Sequence, residues 1–151
     1  MCQFWVDRGR TFLDNLARSV HVENWGNVMV FYWIAALGLL FLSYIHLTAG
    51  QRKIVNPLLA SRELKEDVVC VLFLCWHLVT LVMLGAAAAY IGAVISDAWR
   101  EYALAGTVMI SLLALWSFAV VIWKRQLHRD MPQWIAFAVV AIFGFAGHLT
   151  T

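Results

Sequence analysis

Four long stretches of this chain carry no lysine, arginine, aspartate or glutamate: 27–49, 68–96, 102–123 and 131–151. Each reaches the roughly 20 residues that a helix needs to cross a bilayer core of about 30 Å. Strand-like alternation is absent from them, and lipid offers no partner for free backbone groups, so the pattern predicts helices. The connections SDAWRE and KRQLHRDMP are short, which makes spans two, three and four antiparallel neighbours. The expected fold is all-α, a transmembrane four-helix bundle occupying residues 27–151.

Residues 1–26 follow another rhythm. Trp5, Phe12, Leu13, Leu16 and Val20 recur at helical spacing, opposed by Arg8, Asp14 and Arg18. That pattern predicts an N-terminal amphipathic helix lying on the membrane surface. An acid and two arginines in MCQFWVDRGR, with no small-residue cleavage site, argue against a signal peptide. In the loop GQRKIVNPLLASRELKED, Asn56-Pro57 is a turn and helix-start signal, and Ser61 reads as an N-cap, so the second helix is expected to begin near Arg62.

Composition agrees with the pattern. The 151 residues are 63% hydrophobic and 13% charged, where a soluble domain carries about a quarter charged residues. Arg8, Arg10, Arg18 and Arg100 fall on one side of the expected spans; Arg52, Lys53, Arg62, Lys65, Lys124, Arg125 and Arg129 fall on the other. The positive-inside rule then places the 50–67 and 124–130 loops in the cytoplasm. Trp25, Trp99 and Tyr102 mark one interface and Trp123 and Trp134 the other. The net charge of +2 needs no partner beyond anionic headgroups, and no basic stripe with interleaved aromatics suggests nucleic acid. Cys2, Cys70 and Cys75 lack CxxC spacing and form no disulfide framework.

Two groups of residues carry candidate function. Small residues at Gly85/Ala89 and Ala88/Gly92 repeat every four positions in span two, which lets helix backbones approach closely, either within the bundle or against a second protein. His46 and His77 lie inside spans, where ionisable side chains are costly and mark functional candidates. On a 3.6-residue period, Tyr32, Leu39, Ser43, His46 and Gly50 share one stripe of helix one, and Glu66, Cys70, Phe73, His77 and Thr80 share one stripe of helix two. Facing stripes would gather His46, His77, Cys70 and Glu66 near the cytoplasmic side; Cys75 points elsewhere and is expected to be a small buried residue. His148 belongs near the opposite face.

Three readings of that gathering stand side by side. Neutral His46 and His77 hydrogen-bond between helices as structural links. Alternatively, the two imidazoles hold haem b axially, or with Cys70 or Glu66 hold copper or zinc. The third is a proton relay or small-ligand pocket. No catalytic constellation appears elsewhere, and no GxSxG or phosphate-cradling loop is present. The leading functional expectation is therefore a non-catalytic accessory or assembly subunit of a larger membrane complex, or a homo-oligomer, with a haem- or metal-binding redox protein as the alternative.

His46, Pro57-Leu58-Leu59 and Trp76-His77-Leu78-Val79-Thr80 together resemble a group of small four-span bacterial membrane proteins over about residues 46–80. The resemblance implies a bacterial inner membrane and a single site shared by His46 and His77. It implies no activity.

Overall fold

The computed structural model describes Gly26, residues 28–129 and residues 131–150. Among these residues the chain forms four helices and no strand. Helix α1 runs over Val28–Leu59, α2 over Glu66–Ile95, α3 over Arg100–Trp123 and α4 over Gln133–Leu149. A 3₁₀ turn, Asp97–Trp99, joins α2 to α3, with the Ser96 hydroxyl accepting from the Ala98 N–H. The interfacial helix expected over 1–26 falls, apart from Gly26, outside the described residues, as do Cys2 and His21.

Lipid leaves no choice but to satisfy the backbone within each segment, and the apolar stretches do so as helices. Val28–Leu59, Glu66–Ile95 and Asp97–Trp123 are long and apolar enough to cross a membrane. Helix α4 has 17 residues, about 26 Å at 1.5 Å per residue, which is shorter than the expected 131–151. Pro132 takes the N-cap position and Thr150 the C-cap, so the helix is trimmed at both ends.

Two further boundaries differ from expectation. Helix α1 does not stop at Ala49 but continues for another ten residues, because His46–Val55 winds as a π-helix and Asn56–Leu59 adds a last α-turn. Its wider ladder is closed by the Asn56 N–H donating to the Gln51 carbonyl, five residues back. The Thr48 hydroxyl donates to the Tyr44 carbonyl at 2.7 Å, a back-bond of the kind that bends helices, just where the ladder changes. Helix α2 begins at Glu66 rather than near Arg62: Lys65 is extended at the N-cap, no side chain caps it, and Ser61 lies in the preceding turn. Glu66 and Asp67 in the first turn oppose the helix dipole's positive end.

The helices pack up-down-up-down. Tyr32 stacks on Tyr90 and His46 on Trp76, so α1 and α2 run antiparallel. A Cβ on Gly38 would sit 3.2 Å from Val140, and one on Gly147 would sit 2.8 Å from the Tyr32 ring, so α4 lies antiparallel on α1. Gly106 against Ala86 brings α3 equally close to α2. Without a hydrophobic drive between helices in lipid, this close approach of small residues supplies the packing energy. The core accordingly alternates alanines, among them Ala35, Ala87, Ala93 and Ala103, with the large rings of Tyr32 and Tyr90 and with Leu39, Met83 and Ile110. Outside, Phe41, Leu81, Leu115, Trp116 and Ile142 are exposed, the arrangement of a protein solvated by lipid rather than water.

A hydrogen-bonded polar pair lies in this core. The Tyr90 and Thr107 hydroxyls are 2.9 Å apart, and Thr107 also donates to the Ala103 carbonyl. A Cβ at Gly144 would fall 2.5 Å from Thr107 Oγ1 and 2.6 Å from the Tyr90 hydroxyl, so glycine there makes room for the pair. Periodicity did not single out these residues; a tyrosine and a threonine inside charge-free spans were the available signal.

Candidate functional site at the first two helices

The π-helical stretch of α1 is the irregular part of the bundle, and π segments frequently mark functional sites. Tyr32, Leu39 and Ser43 are buried on the inner face of α1, as the 3.6-residue stripe predicts. Beyond residue 45 the wider turn keeps His46, Gly50 and finally the fully buried Val55 on the inner side, at spacings of four and five.

His46 meets Trp76. The two rings stack with centroids 3.7 Å apart and planes 12° from parallel. His46 Nε2 lies 3.3 Å from the Trp76 carbonyl oxygen, which also accepts from the Thr80 hydroxyl at 3.4 Å. A carbonyl only accepts, so Nε2 carries the proton in this bond. The indole is further pinned by Gly50, where a Cβ would overlap its Cζ2 and Cη2 atoms. Its own Nε1 is buried and has no hydrogen-bond partner among the described residues. Ser43 Oγ, one turn along α1, is in the same state.

The other predicted site residues are distributed differently. His77 is half-buried and packs edge-on against Phe73, ring centroids 4.4 Å apart, on its own helix. Thr80 is buried, but Cys70 and Glu66 are exposed in the first turns of α2. Cys75 is also exposed, not buried, because this part of α2 offers only its Phe73–Trp76–His77 side to the bundle. Among the described residues no three His, Cys, Asp or Glu side chains come together as a metal-binding group. With Nε2 donating to a carbonyl, His46 would have only Nδ1 as a ligand in its neutral form. His148 stands at the far end of the bundle, next to Gly147, which packs on Tyr32.

Of the small-residue positions, Ala89 is buried and Gly92 is covered by Trp99, whereas Gly85 and Ala88 are exposed and a Cβ on Gly85 would meet nothing within 4 Å. Gly85 and Ala89 border a shallow groove between α2 and α3, floored by Ala86 and Gly106 and rimmed by Trp99 and Tyr102, whereas Ala88 does not line it.

Beside the His46–Trp76 stack, α1, α2 and α4 leave a cleft of about 260 Å³. Leu42, Met83 and Phe137 line one part of it, while Lys53, Pro132 and Gln133 line another. The cleft is overwhelmingly apolar, the composition usual for sites that hold small molecules. No protein-family model, curated protein or solved structure matches this chain.

Proposed function

We propose that this protein is an integral membrane subunit without a catalytic centre of its own, which joins other subunits of a larger membrane complex through the outer face of α2 and α3. The observation that carries this reading is the small-residue groove at Gly85, Ala86 and Gly106. Among the described residues nothing lies within 4 Å of a Cβ built on Gly85, and in lipid such a groove is where a further helix approaches closely. Among the described residues little lies outside the helices, which fits a part that works inside the bilayer. In this reading α4, at 17 residues, is a fourth span at the short end of the spanning range. The segments 50–67 and 124–130, with their seven basic residues Arg52, Lys53, Arg62, Lys65, Lys124, Arg125 and Arg129, face the cytoplasm of a bacterial inner membrane.

Purification from native membranes in mild detergent, followed by sizing, tests the reading. The expected result is co-migration with larger partners or as a multimer, and a Gly85→Leu variant that runs as the monomer. A wild-type chain that always migrates alone would overturn it.

A further inference from the structure

The cleft between α1, α2 and α4 is polarised along its length. Leu42, Met83 and Phe137 lie at the end toward the bundle's middle, where α1 and α4 are packed by Gly38 and Val140. Lys53, Pro132 and Gln133 lie at the end where the α1–α2 and α3–α4 loops emerge. The Lys53 side chain is exposed and makes no ion pair or hydrogen bond with another described residue. Next to it, α4 begins without a side-chain cap, so its first N–H groups present the positive end of the helix dipole. The same end carries Arg52, Arg62, Lys65, Lys124, Arg125 and Arg129, against the acids Glu63 in the α1–α2 loop and Glu66 and Asp67 in the first turn of α2. An apolar trough that ends at a lysine and an open helix N-terminus complements one chemistry: a long hydrocarbon chain attached to an anion.

We infer that this cleft is a binding site for an anionic phospholipid, with one acyl chain laid along Leu42, Met83 and Phe137 and the headgroup phosphate held at Lys53 and the start of α4. Three features build the trough for a chain rather than a helix. The π-helical stretch shifts Ala49, Gly50 and Lys53 onto the same side as His46. Gly50 lets the Trp76 indole lie flat against α1. The stacked His46–Trp76 pair then forms a flat wall that borders the cleft. Trp76 is therefore both a part of the wall and a reporter of what lies beside it.

The test uses the full chain reconstituted in vesicles of a neutral phospholipid. A minor fraction is replaced by a bromine-labelled lipid of either neutral or anionic headgroup, and tryptophan quenching is recorded. Subtracting the signal of a Trp76→Phe variant isolates Trp76. The anionic brominated lipid should quench Trp76 at lower mole fraction than the neutral one. Lys53→Gln should reduce that preference about fivefold, the factor for roughly 1 kcal/mol per basic residue at a membrane surface. Lys124→Gln, a basic residue outside the cleft, should leave it unchanged. Ala136→Phe, which fills the cleft, should protect Trp76 from both lipids; if that variant misfolds by circular dichroism, Ala49→Leu serves the same purpose from α1. Equal quenching by the two headgroups, or equal loss in the Lys53 and Lys124 variants, would mean a general annulus and overturn the site. Abolition of the preference by inorganic phosphate at constant ionic strength would assign the cation to a free anion and overturn it as well.

Discussion

The imidazole of His46 lies face to face on the indole of Trp76, 3.7 Å between ring centroids, while its Nε2 donates to the carbonyl of the same residue. One histidine thus makes a ring stack and a hydrogen bond to a single residue of the neighbouring helix. The two can be separated by substitution. His46→Phe keeps a stacked ring and loses the bond, and should cost about 0.6 kcal/mol, typical of a hydrogen bond between membrane helices. His46→Ala loses the ring as well and should cost a further 0.5–1.5 kcal/mol or so. Thermal unfolding in detergent micelles would rank them; equal losses would remove the stack from the account.

Gly50 is glycine because the indole occupies the place of its side chain. Gly50→Ala should force the ring off His46 and cost about 1–3 kcal/mol, the usual penalty of overpacking. Gly85→Ala, with open space around it, should not lower the unfolding midpoint of the isolated chain and should add up to about 1 kcal/mol of helix propensity, a gain that Gly50→Ala shares. The same pair of variants measured side by side checks that the difference comes from the neighbour and not from helix propensity.

The Tyr90–Thr107 pair should respond asymmetrically. Tyr90→Phe leaves the Thr107 hydroxyl its bond to the Ala103 carbonyl, whereas Thr107→Val leaves the Tyr90 hydroxyl without its partner in the core. An orphaned buried group costs more than a lost bond, so the valine variant should be the less stable, by up to about 1.7 kcal/mol. A double-mutant cycle read by chemical denaturation gives the coupling. Gly144→Ala, which pushes a methyl into both hydroxyls, should be rescued in part by Tyr90→Phe.

Haem or metal held by His46 and His77 makes a separate, inexpensive prediction. Protein purified without chelators should show no haem absorbance band and less than one metal per chain, since His46 Nε2 donates to the Trp76 carbonyl, His77 packs on Phe73 of its own helix, and no three His, Cys, Asp or Glu side chains come together among the described residues. A coloured preparation that loses its colour in both His46→Ala and His77→Ala would revive that alternative.

How much of this was legible in the sequence depends on the helix. The helical cores were, because a charge-free run of the right length in lipid has only one way to satisfy its backbone. The inner stripe of α1 through Tyr32, Leu39 and Ser43 was also legible, since the α-period holds there. The continuation of α1 to Leu59 was not, because a π-helical turn leaves no signature in a search for periods of 3.6 and 2.0. Nor was the partner of His46. Trp76 and His77 differ by a rotation of about 100° around α2, and which one faces α1 is invisible when nearly every side of that helix is apolar. By itself the sequence determined that this chain builds helices of membrane-crossing length and that an imidazole lies among them. Only the packing of the helices decided that this imidazole rests on an indole, with a cleft beside it. In lipid the rotation of each rod is set by steric fit between small and large side chains, not by separating apolar from polar faces.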